Sequence, residues 1–169
     1  MVRHPTFHRI DRFGTRTARP RNLPAHHPEL SFQTAFRMTR IRIRSYHLDG
    51  YGHVNNARYL EFLEEARWAF FEQHNLLRLL DGIMMVVARI DIRYLRAAQE
   101  GQTLDIATRI QSAEPRQVML RQTIRRNDTG KTAAEADITL VPVSAANGLS
   151  TDLPAELLTF LTEHTYAES

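Results

Sequence analysis

The chain of 169 residues contains no cysteine. Disulfide bonds, thiolate zinc sites and a cysteine nucleophile are therefore excluded, so any catalysis must use oxygen or nitrogen groups. A cysteine-free composition fits a reducing compartment, and we expect a cytoplasmic protein.

Long apolar runs are also missing. The longest uncharged ones, such as residues 83–88 (IMMVVA), are far shorter than the ~20 residues needed to cross a bilayer. No charged segment followed by an apolar one opens the chain as a signal peptide would. We therefore expect no insertion into a membrane.

Charge is distributed unevenly along the chain. Residues 1–40 hold 8 Arg against 2 acids, whereas the remainder holds 14 Arg and Lys against 17 acids. The basic segment has no apolar periodicity, and it lacks the interleaved aromatics of a nucleic-acid-binding arm. We predict that residues 1–35 are a basic, disordered extension, that residues 36–169 form the folded domain, and that nucleic acid is not a partner.

The folded part is predicted to contain one strand, one long helix and four further strands. Residues 37–45 alternate Arg with apolar or small side chains, which is typical of a half-exposed strand. Asn55 or Asn56 is a good N-cap, and the absence of Gly and Pro from there to His74 predicts a helix of about 19 residues. Strand-like segments follow at residues 83–95, 103–111, 117–126 and 131–143, and an NDTG turn joins the last two as a hairpin.

This element order predicts the fold class. One long helix followed by consecutive antiparallel strands favours an α+β domain in which a curved sheet wraps the helix. Residues 154–165 are expected to form a short amphipathic helix that caps the domain.

The long helix has a polar and an apolar side. A step of 100° per residue places four charged residues on one solvated stripe and four apolar ones opposite: Arg58, Glu61, Glu65 and Glu72, against Tyr59, Leu63, Ala66 and Phe70. Glu64 lies at the edge of the apolar sector, three residues before Arg67, so the two can pair. Spacing alone favours a structural ion pair over a second catalytic carboxylate.

The segment before the helix is rich in turn-forming and polar residues. The first helical turn carries no acid, so its free N–H groups and partial positive charge can bind something negative. Asp49 lies about seven residues earlier and can fold back beside these groups. A carboxylate next to an oxyanion site is the minimum equipment for acyl transfer to water, although an Asx-type turn with Gly50 explains the same Asp-Gly pair.

Two histidines flank Asp49. His53 is a candidate base, since imidazole titrates near neutral pH, but no Ser or Cys accompanies it and a role in holding the turn is favoured. The spacing of His47, Asp49 and His53 fits no strong metal pattern. We therefore expect neither a metal nor another cofactor.

The stretch YHLDGYGHVNNARYLEFLEEARW, residues 46–68, resembles the D-x-x-G-H-V-N-N-x-x-Y-L signature of hotdog-fold acyl-CoA thioesterases related to 4-hydroxybenzoyl-CoA thioesterase. Within that family it is most similar to the bacterial long-chain thioesterase III group. The likeness is weaker through the strands to about residue 143, and the segment before Phe36 lies outside it. The resemblance implies a hotdog fold, with a five-stranded antiparallel sheet around one central helix, an acyl-CoA substrate, and a homodimer or homotetramer with its active sites at the dimer interface.

The resemblance also implies roles for particular residues. Asp49 matches the catalytic carboxylate, which acts as nucleophile or as base for water, and Asn56 matches the residue whose backbone N–H polarises the thioester carbonyl. Glu64 matches a recurrent position on the helix and is the second candidate for a catalytic carboxylate. The expected substrate-binding residues are Gly52, His53, Asn55 and Tyr59.

Three alternatives stay open from the sequence. Hotdog proteins also serve as acyl-CoA-binding modules without catalysis, although such a protein needs no carboxylate at the turn. A hotdog dehydratase needs a catalytic His with a partner acid in another motif. A thioesterase of this family can instead act on aromatic acyl-CoA or on acyl carrier protein.

Overall fold

The computed structural model describes residues 38–166, so the predicted extension at residues 1–35 lies outside the described residues. Within this range the elements are β1 (Thr39–Arg42), α1 (Asn56–Gln73), β2 (Ile83–Tyr94), β3 (Thr103–Glu114), β4 (Gln117–Arg126), β5 (Thr132–Ser144) and α2 (Ala155–Glu163). Short 3-10 turns occur at Ser45–His47 and Leu77–Leu80. No helix in this range is both long and apolar enough to span a bilayer.

The five strands form one antiparallel sheet in the order β1-β3-β4-β5-β2. The predicted α+β architecture is confirmed, and the NDTG hairpin joins β4 to β5 with Gly130 at φ 65°, where a side chain would be strained. β1 is shorter than the predicted strand, whereas β3 continues three residues further, to Glu114, because it forms a second hairpin with β4.

Helix α1 follows the predicted bounds closely. Asn55 is the N-cap, with its side-chain oxygen accepting the N–H of Ala57 at 2.9 Å, and His74 is the C-cap. The predicted apolar side is buried and packs on the sheet, because Leu63, Ala66 and Phe70 are each less than 5% exposed. Truncating a core side chain such as Leu63 to Ala typically costs about 2–5 kcal/mol. Burial of this side therefore holds α1 against the sheet.

The side chains of the sheet alternate between the face that packs on α1 and the face that does not. Val118, Leu120, Gln122 and Ile124 point from β4 into the core, and each is 0% exposed. On β2, the residues that face α1 are those paired with buried residues of β5: Met85, Val87, Ile90, Ile92 and Tyr94. The pairing of β2 with β5 shifts by one residue between Val87 and Arg89. Because of this shift, Met85 and Val87 face the same side of the sheet as Ile90, Ile92 and Tyr94.

Strand β2 is a long edge strand that no described element covers on its outer side. Met84, Val86 and Val87 are 46%, 41% and 38% exposed. The other edge, β1, has only four residues. A long apolar edge is unusual for an isolated subunit, because its free backbone groups can pair with another strand.

Candidate active site

The turn before α1 fixes the position of Asp49. The backbone N–H of Asp49 donates to the carbonyl of His53 at 2.8 Å, and Gly52 adopts φ 75°, a conformation that favours glycine. One carboxylate oxygen of Asp49, Oδ1, accepts the N–H groups of Tyr51 at 2.9 Å and His53 at 3.2 Å. The Asx-type turn considered from the sequence is therefore present. It occupies only Oδ1, and within the described residues Oδ2 makes no hydrogen bond, so one oxygen is available for chemistry.

The start of α1 leaves one backbone donor available. Ala57 N–H donates to the Asn55 side chain and Arg58 N–H to the Asn55 carbonyl, both at 2.9 Å. The Asn56 N–H has no acceptor among residues 38–166. The first turn contains no acid, as predicted, so the positive end of the helix dipole is not neutralised from within.

Asp49 and Asn56 line the same open pocket, of about 280 Å³. That volume is close to the lower end of the roughly 300–1,000 Å³ typical of small-molecule sites. Asp49 is half-buried and Tyr59 fully buried, and the remaining lining residues are Val54, Tyr94, Leu95, Arg96 and Ala97. The fold therefore places a carboxylate, a free N–H and a helix N-terminus around one space.

Tyr94 belongs to this pocket, although it was not among the site residues proposed from the sequence. Its hydroxyl donates to the Asn56 carbonyl at 3.0 Å, and its ring meets that of Tyr59 edge to face at 5.5 Å. Alternation along β2 places Tyr94 on the same face as Ile90 and Ile92, and this signal could have identified it. Burial raises the pKa of both tyrosines, so each hydroxyl stays protonated near neutral pH.

The other predicted substrate-binding residues shape the turn and do not line the pocket. Gly52 supplies the left-handed backbone, His53 closes the turn through its main chain, and Asn55 caps the helix. His47 is buried, and its Nδ1 accepts the N–H of Arg44 at 3.1 Å. Burial lowers the pKa of His47, which favours the neutral ring that this hydrogen bond requires.

Glu64 lies away from Asp49 in the same subunit. It is exposed and lines a second cleft, which is apolar apart from Glu64 and Arg67: Trp68, Phe71, Leu80, Met85, Val87 and Leu140. The predicted Glu64–Arg67 ion pair is wrong for this subunit, since no described carboxylate comes within 4 Å of the Arg67 guanidinium. Arg67 turns into the core, where its Nη1 donates to Gln122 Oε1 at 3.2 Å.

Arginines on α1, on β2 and just after β2 carry charges that an anionic part of a ligand could contact. Arg58 pairs with Glu61, and Arg89 lies 3.5 Å from Asp91. Arg96 lines the Asp49 pocket and donates to the Thr132 carbonyl at 3.0 Å. It makes no ion pair with any described residue, so of these three it is the best placed for an anionic part of a ligand.

Among residues 38–166, no group of three or more His, Asp or Glu side chains lies close enough together to hold a metal ion.

The sequence of the chain is similar to that of known thioesterases. Residues 43–161 match the model of the thioesterase-like superfamily. The chain is 40% identical over 121 residues to the long-chain acyl-CoA thioesterase FadM of Escherichia coli (strain K12), covering 70% of this chain and 92% of that protein.

Solved structures support the same relationship. The probable thioesterase YbaW from Escherichia coli has 37% identity and a TM-score of 0.68, covering 77% of this chain and 99% of that one. A thioesterase complexed with coenzyme A and Zn from Thermus thermophilus has 28% identity and a TM-score of 0.64, covering 77% and 98%. The expected hotdog fold is thereby confirmed.

Proposed function

The chain belongs to the thioesterase-like superfamily, and from this premise we propose that it hydrolyses long-chain acyl-CoA to a free carboxylic acid and coenzyme A at the Asp49 pocket. The 40% identity to a long-chain acyl-CoA thioesterase supports the substrate class. The observation that carries the site is that Asp49, whose Oδ2 is free, and Asn56, whose N–H is free, line the same pocket.

The reaction follows from the charges that these groups handle. Asp49 takes a proton from water as the water oxygen bonds to the thioester carbon, or it attacks that carbon itself. The oxygen of the tetrahedral intermediate becomes negative, and the Asn56 N–H and the dipole of α1 stabilise it. Collapse breaks the carbon–sulfur bond, and the thiolate leaves as coenzyme A, taking the proton that Asp49 removed from water. In the direct route the thiolate takes its proton from solvent, and a water molecule then hydrolyses the acyl-Asp49 anhydride to the free acid and restores the carboxylate. Loss of one such donor typically costs about 100- to 1,000-fold in rate.

Tyr94 serves as a positioning residue in this proposal. Its hydroxyl holds the Asn56 carbonyl, on the residue whose N–H faces the substrate oxygen. Gly52, His53 and Asn55 support the same geometry by fixing the turn, and Tyr59 forms part of the pocket wall. Arg96, at the pocket lining, is placed to meet a phosphate of coenzyme A.

The active protein is proposed to be a homodimer joined through β2. Pairing of this edge with the same strand of a second copy covers the apolar side chains of Val86 and Val87 and satisfies the free backbone groups.

The two halves of β2 lie at different sites. Met85 and Val87, in the first half of β2, line the Glu64 cleft, whereas Tyr94, at its end, lines the Asp49 pocket. A two-fold axis through an antiparallel β2 pair sets the first half of one strand against the second half of the other. Glu64 of the partner subunit would then serve the Asp49 pocket.

The substrate is tested by thiol release from a panel of thioesters. Wild-type protein is expected to cleave long-chain acyl-CoA with a higher kcat/KM than short-chain or aromatic acyl-CoA or acyl carrier protein, because an apolar cleft adjoins the site in the proposed dimer. Preference for an aromatic substrate or for acyl carrier protein would replace the proposed substrate class. Binding of acyl-CoA without any thiol release would contradict hydrolysis itself.

The dimer is tested by placing a charge on the edge strand. Val87→Lys is expected to convert the dimer to monomer and to lower activity, because a lysine at the pairing edge opposes strand association. Sedimentation velocity measures the change, and it also separates dimer from tetramer in the wild type. Met38→Lys is the matched control, since Met38 is 52% exposed and precedes β1, at the opposite edge of the sheet. Dissociation by both variants, or by neither, would count against β2 as the interface.

A further inference from the structure

Arg67 is a buried cation that the proposed reaction does not use. The residue is only 8% exposed and lies on the side of α1 that packs on the sheet. Of the five N–H donors in its guanidinium, one makes a hydrogen bond within the described residues, to Gln122. Arg67 also lines the apolar cleft, so its other donors can be reached from that side.

Gln122 is fixed and neutral, so it cannot balance this charge. It is 0% exposed, and its side-chain amide donates to the Leu63 carbonyl at 3.0 Å and to Thr108 Oγ1 at 2.8 Å. These two bonds orient the amide so that only its oxygen faces Arg67. A guanidinium so deeply buried is normally accompanied by a negative charge, because desolvation of an unpaired ion costs several kcal/mol.

The described subunit places no carboxylate in contact with this guanidinium, and the Glu64 carboxylate attracts it only from a distance. No described carboxylate lies within 4 Å of Arg67, and Glu64 remains exposed at the rim of the cleft. The walls beyond the guanidinium are apolar and include Trp68, Phe71 and Met85. A ligand complementary to both features carries one carboxylate and a hydrocarbon chain.

We propose that this cleft binds a long-chain carboxylic acid, with the carboxylate on Arg67 and the chain along Trp68, Phe71 and Met85. The inference rests on the proposed function in one respect, namely that such an acid is then the product of the reaction. The site is separate from Asp49 within the subunit and provides a place where the released acid is retained.

The chain contains a single tryptophan, and it lies in this cleft. Trp68 is 53% exposed, so its fluorescence reports directly on occupation of the cleft. The test is a titration with sodium dodecanoate below its micellar concentration, alongside dodecanol as the uncharged analogue. No thioester is present, so the result does not depend on hydrolysis. Dodecanoate is expected to bind about 10- to 100-fold more tightly than dodecanol, as for a charge-assisted hydrogen bond.

Variants separate the charge from the apolar wall. Arg67→Met should bind both compounds with equal affinity, because it keeps an apolar side chain of similar length. Arg93→Met, which removes an exposed arginine from β2, should retain the wild-type preference. Far-UV circular dichroism and the urea midpoint establish that each variant is folded.

Three results would overturn the proposal. The first is equal affinity of the wild type for dodecanoate and dodecanol, and the second is an unchanged preference in Arg67→Met. The third is binding of dodecanoate by Glu64→Gln but not by the wild type, which would identify Glu64 as the counter-ion of Arg67. Failure of the wild type to release thiol from acyl-CoA would contradict the proposed hydrolysis but leave the dodecanoate result intact, so the two failures are distinguishable.

Discussion

Replacement of Asp49 by Asn is expected to lower kcat for acyl-CoA hydrolysis by about 1,000-fold, within the range for loss of a general base. The asparagine side chain keeps an oxygen that can accept the N–H groups of Tyr51 and His53, so the turn is preserved. It cannot take a proton from water or attack the thioester carbon, and KM should therefore change little. Steady-state thiol release with a long-chain acyl-CoA measures both constants.

Two further variants serve as comparisons for Asp49→Asn. Asp81→Asn removes an exposed aspartate from the turn before β2 and should leave activity unchanged. Glu64→Gln tests the second carboxylate, which the proposed dimer brings to the partner's pocket. If Glu64→Gln loses activity and Asp49→Asn does not, Glu64 and not Asp49 is the catalytic carboxylate. If Asp49→Asn keeps its activity within tenfold of the wild type, another group activates the water.

The second large effect is expected on stability, from Gln122→Leu. This substitution removes the acceptor of Arg67 and the donor to the Leu63 carbonyl and Thr108 Oγ1. Arg67 and Thr108 Oγ1 lose their buried side-chain partner, and the Leu63 carbonyl keeps only its bond within the helix, so we expect a loss of about 3 kcal/mol in the free energy of unfolding. Urea denaturation at a fixed protein concentration measures it, because association also contributes to the stability of an oligomer.

The double variant Gln122→Leu/Arg67→Met gives the decisive comparison. Replacing both members of a buried polar pair by apolar residues is often close to neutral, so at least half of the lost stability should return. Gln117→Leu is the matched control, since Gln117 is half-buried on the same strand and makes no side-chain hydrogen bond within the described residues. A double variant no more stable than Gln122→Leu would show that the unpaired guanidinium of Arg67 is not the cause of the lost stability.

These effects have different physical origins within one helix. The first turn of α1 contributes an uncapped donor and the positive end of the dipole, which act on the charge formed in the reaction. Further along, Arg67 places a full positive charge in the core, where only one neutral acceptor meets it. Activity should therefore respond chiefly to Asp49, and stability chiefly to Gln122.

The sequence alone predicted the features that depend on neighbouring residues. The bounds of α1 follow from the Asn cap and the run without Gly or Pro, and the hairpin at residues 127–130 follows from its turn chemistry. Asp49 was expected beside the helix start because only a short turn separates them, and both line one pocket. The family was predicted from the motif at residues 46–68, since its turn and helix are contiguous in the chain.

Contacts between distant segments were decided only by the tertiary structure. Tyr94 reaches Asn56 across 38 positions, and Arg67 reaches Gln122 across 55, so no local pattern specifies either contact. The i,i+3 spacing made a Glu64–Arg67 pair possible, but the helix lies on the sheet with Arg67 inward and Glu64 outward. Helix periodicity fixes the angle between two side chains on one helix, whereas the packing of that helix on the sheet decides which of them enters the core and which partner it meets there.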